Sequence, residues 1–389
     1  MERGLPGLRD YLDQIGFVQL YKFIATGRRY HTNPNVLSWG SLERMADLES
    51  YVTGDRAPLG LAACLMLKAA VPHDALSLLE QQLAGHLVDA GLLVRTGDDL
   101  EMGAYQLISA QDMPLLIDSR INYPGWVAQE SYFGSDSLQL AFYLDTRGVA
   151  PADRVLDLGT GSGVLGLALA RYSDHVTMTD ISPRALELAH ANRLLNRMTE
   201  TVEIRAERCE ETLGRRERYH VVTFNPPFLP LPHGLAAPAF AGGLGPDGLD
   251  YCRMLLDQLD HVLLPEGTAY MVATLLGTAA GPFFAEELRR HAARRGRRID
   301  VYIESASPLT AGAPVFRALG AFLHRENPAV DPAECQRRVE ELQLQTLGAT
   351  HAYPSILIVR AVHDARPSVR VARWKASTPP RTPSALPAH

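Results

Sequence analysis

Val155-Leu156-Asp157-Leu158-Gly159-Thr160-Gly161-Ser162-Gly163-Val164-Leu165-Gly166-Leu167-Ala168-Leu169-Ala170 is the stretch that decides how this chain is read. A short apolar run, a glycine-rich turn and a second apolar segment give strand, loop and buried helix. Glycines at 159, 161, 163 and 166 cost conformational entropy with no packing return, so the loop reads as a close approach of backbone to a ligand. Gly161, Gly163 and Gly166 meet the G-x-G-x-x-G spacing of dinucleotide loops, and Asp180 closes the next strand, where a carboxylate can hold ribose hydroxyls. A nicotinamide enzyme is therefore one reading. Asp157 argues against it, because a carboxylate inside the strand end repels a pyrophosphate and suits the ammonium group of an amino-acid moiety.

Outward from the loop the chain alternates strand and helix. Val155–Leu158, Val176–Thr179, Val202–Arg205, Val221–Phe224, Thr268–Ala273 and Arg298–Ile303 are strand candidates, and Tyr353–Val362 is a last one. Helical segments between them predict an α/β, Rossmann-like, doubly wound sheet of seven strands, whose ligands bind beyond the carboxyl ends of the strands. The fourth candidate ends in Asn225-Pro226-Pro227-Phe228. Two prolines stop a strand abruptly and hold Asn225 on a stiff, extended stalk, able to aim an amide and nearby carbonyls at one point. A dehydrogenase reading leaves this tetrapeptide without a task.

Upstream, residues 8–26 carry apolar side chains at helical spacing and predict one amphipathic helix. Short helices follow from about 41 to 110, ending in His86–Arg95, a polar turn and Leu100–Ile108, which is similar to the end of a winged helix-turn-helix. Between Arg95 and Arg120 there is no Lys or Arg, while Asp98, Asp99, Glu101, Asp112 and Asp118 are acidic, so packing or substrate recognition fits better than DNA binding. Residues 111–130, with Pro114 and Pro124, read as a linker, and Ser135 or Asp136 as a helix N-cap. The expected domains are 1–125, mainly helical and winged-helix-like, and 126–364, the α/β unit. An insert at 305–348 would emerge over the site, where it could act as a lid, and residues 365–389 form a Pro-rich basic tail.

The 389 residues are 46% hydrophobic and 21% charged, with a net charge of −6 and a mean hydropathy of −0.07. This is a globular composition without an overall basic footprint for nucleic acid. Cys64, Cys209, Cys252 and Cys335 are scattered, with no metal-ligand spacing, and read as thiols. The first ten residues lack the order of a signal peptide and no apolar run reaches membrane-spanning length, so a cytoplasmic protein without a membrane partner is expected. No metal is expected, and His190, His220, His233 and His261 show no ligand spacing. Arg289–Arg298 could be an RNA patch but reads better as a solvated helix end.

Taken together, residues 129–275 resemble a class I S-adenosylmethionine-dependent methyltransferase of the Asn-Pro-Pro-Phe/Tyr group. That group methylates planar nitrogens: protein glutamine N5, adenine N6 and ribosomal guanine N2. Gly242–Leu256 and Leu264-Pro-Glu-Gly267 resemble the glutamine N5-methyltransferases most. The resemblance implies S-adenosyl-L-methionine as cofactor, with Asp157 and the Gly159 and Gly161 backbone at its methionine end and Asp180 on the ribose. Glu207 would lie on the adenine amino group, and Asp136 and Ser137 would close over the methionine end. Asn225, counted with both the catalytic and the cofactor-binding residues, and the Pro226 carbonyl would each accept an acceptor N–H, and Phe228 would stack on the flat group. The implied acceptor is a protein glutamine or related amide. A small metabolite or peptide and, less favoured, an RNA base are the alternatives.

Overall fold

The computed structural model describes residues 4–26, 60–67, 70–118, 131–146, 154–173, 175–237, 241–243, 245–361 and 366–373. The expected domain boundaries near 125 and 364, and most of the basic tail, lie outside these residues. The strands in chain order are β1 (Val71–Pro72), β2 (Leu93–Thr96), β3 (Asp99–Met102), β4 (Tyr105–Ala110), β5 (Met113–Asp118), β6 (Val155–Leu158), β7 (Val176–Asp180) and β8 (Val202–Ala206). They continue with β9 (Tyr219–Phe224), β10 (Leu263–Thr278), β11 (Gly281–Pro282), β12 (Arg297–Ile303), β13 (Ser307–Pro308), β14 (His351–Ala361) and β15 (Ser368–Arg373).

The main sheet runs β15-β12-β14-β10-β9-β6-β7-β8. Neighbours from β10 to β8 pair in parallel, and β14 is antiparallel between β10 and β12. The chain leaves β6 toward β7 and β8, then returns to β9 on the other side, so β6 and β9 flank the switch point where open α/β sheets bind ligands. Both faces are covered, as a parallel sheet requires. Helix Asp250–Val262, for example, buries Cys252, Leu255, Leu256, Leu259 and Val262, one stripe at helical spacing.

Several expectations are corrected. The helix expected over 8–26 is two helices, Leu5–Gln14 and Phe17–Thr26, because Gly16 takes φ +63° and ends the first. Part of the expected linker is strand: Met113–Asp118 pairs with β4, and its carbonyl groups at Pro114 and Leu116 are bound by Asn196 and Asn192. The seven-stranded sheet gains an eighth member along its main path, since the start of the tail adds β15 parallel to β12. Asp300, with a side chain 2% exposed, draws in that edge through Arg370 at 2.9 Å and also pairs with Arg360 at 3.1 Å. In the N-terminal region the expected helix, polar turn and β run are present: helix Leu78–Asp89, capped by Ser77 and Glu80, leads into the β2–β3 hairpin, and β1 adds to β3. Among the described residues no helix is long and apolar enough to cross a membrane.

The insert forms helices Pro314–Glu326 and Pro332–Glu340 and a wider turn at Glu341–Thr346. Its core, Phe316, Leu323, Cys335 and Val339, gathers Leu276 at the end of β10 and Leu231, Leu235 and Ala237 from the chain after Phe228. Asn327 clasps the backbone of Ala236 from both sides, at 2.8 and 2.9 Å.

The N-terminal region is joined to the sheet unit through helix Pro183–Leu195. Fully buried Asn192 accepts from Leu116 N–H at 2.6 Å and donates to the carbonyls of Leu116 and Ser162, each at 2.8 Å. One side chain thus ties β5 to the glycine loop. Asn192→Leu leaves three buried backbone groups unpaired, at about 1 kcal/mol or more each. Its urea midpoint is expected to fall by the equivalent of about 3 kcal/mol, with faster amide exchange at Leu116.

Candidate active site

The glycine loop connects β6 to helix Val164–Leu169. Asp157 has no exposure, and its carboxylate points under the loop. It accepts from Gly166 N–H at 2.9 Å, from Thr223 Oγ1 at 2.7 Å and from Thr160 Oγ1. Gly166 must be glycine for this contact: a Cβ there would stand 2.6 Å from Met178 and 3.1 Å from Asp157 Oδ2. The structure therefore puts Asp157 beneath the loop as its support, whereas the sequence places it against a ligand's ammonium group. Burial pushes its pKa up to about 6, against the lowering effect of the three hydrogen bonds.

Asp180 ends β7 across from the loop. It accepts from Gly161 N–H and Ser182 N–H, each at 2.9 Å, one donor per carboxylate oxygen, and burial raises its pKa. Each oxygen keeps lone pairs for further donors. Glu207 N–H donates to the Asp180 carbonyl at 3.0 Å, which places Glu207 in the adjoining loop. Its carboxylate, however, holds Arg215 at 2.5 Å and Thr212 Oγ1 at 3.1 Å. A ligand seeking Glu207 meets a group already engaged.

At the end of β9, Asn225 donates its side-chain NH₂ to Ser137 Oγ at 2.8 Å. Its Oδ1 is buried without a hydrogen-bond partner. Ser137 is thus the group that turns the Asn225 amide, a role the sequence does not assign to it. Asp136 accepts from Tyr132 Oη at 3.1 Å and from Ser137 N–H. Phe228, Tyr132 and Asp136 stand in the wall of a cavity of about 220 Å³, with Val272–Thr274 of β10, Glu304 and Pro354–Ile356 of β14. None of the residues lining it belongs to the 305–348 insert, which props the chain after Phe228 from the side.

The backbone of Phe228 is held by the loop beyond it. Leu229 N–H donates to Ala241 and Gly243 N–H to Leu229. At Gly248, φ is +78° and a Cβ would lie 2.5 Å from the Phe228 carbonyl oxygen. Arg253 fixes this loop through Asp247, Asp250 and Glu287 at 2.6 to 2.9 Å. The stretch around Gly242 is thus a clamp on Asn225–Phe228.

The sequence-read residues Ser137, Asp157, Gly159, Gly161, Asp180, Asn225, Pro226 and Phe228 converge on one end of the sheet. The structure adds Thr160 and Thr223 under the loop, and Tyr132, Gln139 and Glu304 in the cavity. These have no local signature, because their roles arise from contacts across the chain. The arginine-rich helix end is largely paired internally: Arg289 with Glu286, and Arg295 and Arg297 with Asp260.

The pKa of Asp157 gives a pH signature. Its folded value of about 6 exceeds its ordinary 3.8, so the folded chain holds the proton more tightly. The contribution of this group to stability is greatest below about 4 and falls as pH rises to about 6. Measured by urea unfolding, Asp157→Asn is expected to gain on the wild type by up to about 3 kcal/mol between pH 4 and 7, at whatever fixed offset its altered hydrogen bonds impose.

Residues 133–233 match the family described as MTS, the methyltransferase small domain. A release factor glutamine methyltransferase of Deinococcus radiodurans is 34% identical over 145 residues, 35% of this chain and 50% of that protein. A ribosomal protein uL3 glutamine methyltransferase of Bradyrhizobium diazoefficiens is 31% identical over 172 residues, 41% of this chain and 53% of that one. The chain thus spans about half the length of these curated relatives. A solved methyltransferase from Agrobacterium tumefaciens, described as SAM-dependent, overlays with a TM-score of 0.40 at 14% identity, covering 71% of this chain and 79% of that one. The segment that bears the glycine loop and Asn225-Pro226-Pro227-Phe228 therefore carries the methyltransferase small domain, set in a Rossmann-like α/β sheet.

Proposed function

We propose that the chain is an S-adenosylmethionine-dependent methyltransferase that methylates the side-chain amide nitrogen of glutamine in a protein. The observation that carries this reading is the Asn225 amide. Its NH₂ end is held by Ser137, so its buried Oδ1 is left as an acceptor at the carboxyl end of β9. A planar NH₂ group offers two N–H donors and a delocalised lone pair, and it reacts only when turned so that the lone pair faces the methyl group. An acceptor oxygen on a rigid stalk supplies that turn and stabilises the positive charge that develops on nitrogen.

The cofactor would supply an electrophilic methyl group whose leaving group is a neutral thioether, so no general acid is needed, and the N–H proton released as the C–N bond forms would pass to water. The residues present fit it. Ser131 Oγ, Ser162 Oγ and Thr179 Oγ1, buried atoms without a protein partner, lie in or beside the glycine loop. Asp180 would hold the ribose hydroxyls, the Gly159 and Gly161 backbone would receive the methionine end, and Glu207 would reach the adenine amino group by exchanging Arg215. Asp157 acts from beneath by fixing the loop. Asp136, in the wall shared with Phe228, closes the methionine side, and Phe228 offers its face to the flat acceptor amide. The names of the relatives support a glutamine in a protein as acceptor, and the free thiols Cys64, Cys209, Cys252 and Cys335 suit a cytoplasmic setting.

Asn225→Ala is expected to lower kcat by about 10²- to 10³-fold while leaving the cofactor Kd within about threefold, because it removes an interaction made to the reacting nitrogen. Near wild-type turnover in this variant would refute the assignment. The acceptor is tested by incubating the protein with methyl-labelled cofactor and an extract lacking it. Label on one nuclease-resistant protein band, mapped to a glutamine by mass spectrometry, is the expected result. Label confined to RNA or to small molecules contradicts it.

A further inference from the structure

We propose that Asp118 is a positioning residue for the cofactor loop, acting from the N-terminal region through the segment Ser131–Gly134; the proposal rests on reading that loop as the S-adenosylmethionine site. Asp118 is the last residue of β5 and is 6% exposed. One carboxylate oxygen accepts Ser131 N–H at 2.8 Å, and the other accepts Arg184 Nε at 2.6 Å. Arg184 is itself immobilised: it donates to Glu187 at 2.8 Å and to the Ala104 carbonyl at 3.3 Å, and its guanidinium lies 4.1 Å from the centre of the Tyr105 ring. The carboxylate is therefore a fixed post, and Ser131 is tied to it by a charge-assisted hydrogen bond, stronger than a neutral one.

Ser131 and Tyr132 lie against the glycine loop. A Cβ on Gly161 would come within 3.3 Å of the Tyr132 carbonyl oxygen and 3.8 Å of Ser131 Oγ. Gly161 is also the residue whose N–H reaches Asp180. Phe133, 2% exposed, then enters the core, and the helix that starts at Ser135 delivers Ser137 to Asn225. The loop is thus held from below by Asp157 and from the other side by a strap whose upstream tie is Asp118. Neither Asp118 nor Arg184 lines the cavity beside Phe228. Their influence on the ligand passes through the position of Ser131 and Tyr132.

The test is calorimetric titration of S-adenosylmethionine into the full chain, with hydrogen exchange of residues 131–137 followed in the cofactor-free protein. Asp118→Ala is expected to raise Kd about tenfold, the effect of one lost charge-assisted hydrogen bond, and to speed exchange in the strap. Asp118→Asn, which keeps an acceptor for Ser131 N–H but loses the charge, is expected to raise Kd by a smaller factor, about threefold. Its single oxygen settles on the fixed Ser131 N–H, while Arg184 keeps Glu187, Ala104 and Tyr105. A folded Asp118→Ala with wild-type Kd and exchange overturns the proposal. Should the alanine variant fail to fold, Asp118→Asn decides alone: a raised Kd with faster exchange in the strap supports the proposal, and wild-type values of both overturn it. Binding by the wild type with unaffected variants sinks this inference only, whereas a wild type that does not bind S-adenosylmethionine sinks the cofactor reading and this one with it.

Discussion

Asp157 lies with no solvent exposure under the glycine loop, and the bonds that keep its carboxylate tolerable there are the ones that shape the loop. Burying a carboxylate costs several kcal/mol unless donors surround it. Here the donors come from the loop itself at Thr160, from the first helix residues at Gly166 and from the neighbouring strand at Thr223. Each donor must stay where it is for the charge to be offset, so β6, the loop and β9 are locked in register. That lock sets Asn225 relative to the glycines, because Leu158 pairs directly with Phe224, the residue before it.

The same logic separates what is legible in the sequence from what is not. The strand–loop–helix at 155–170 and the strand ending at Asn225-Pro226 are local patterns, with period, glycine spacing and proline stops all within a few residues. The structure keeps them nearly residue for residue. The pairing of Ser137 with Asn225 spans 88 positions, and the enclosure of Asp157 depends on a threonine 66 positions away. No periodicity carries such information, so the sequence offers Ser137 and Asp157 as cofactor residues but does not show these contacts. Met113–Asp118 reads as linker because Pro114 breaks a strand pattern, yet the Leu115-Leu116-Ile117 run is buried, and Asn192 and Asn196 bind the backbone at Leu116 and Pro114. Ser368–Arg373 is hidden for a different reason: its composition is that of a tail, and it is the buried Asp300, with the Tyr302 hydroxyl, that makes Arg370 an asset at the sheet edge.

The two additions to the basic sheet unit both bear on the chain at and just beyond the same tetrapeptide. The 305–348 insert builds its own small core against Leu231, Leu235 and Ala237, and so stiffens the chain leaving Phe228. The clamp from Gly242 to Arg253 lies along the backbone at Phe228 itself, at a distance only glycine permits. A tetrapeptide at the end of a strand, with two prolines and no regular partners, would otherwise sample several directions. Orientation of a weak nucleophile is worth more than any single contact with it, since misplacement by an ångström can cost two orders of magnitude in rate. The structure's investment around Asn225–Phe228 is in direction.

The N-terminal region meets the glycine loop through two tethers that do not share a residue. Asn192 connects Leu116 with the Ser162 carbonyl from within a helix, and Asp118 connects Arg184 with Ser131 at the end of β5. Because Leu116 and Asp118 sit two positions apart on one strand, any shift of β5 along its axis pulls on both faces of the loop together. A domain whose only task was to recognise an acceptor could be joined by a flexible connection. Rigid attachment at the glycine loop instead makes the position of the N-terminal region and the shape of that loop one mechanical variable. A displacement of β5 would therefore reach Ser131, which lies against Gly161, through Asp118 and reach Ser162 through Asn192.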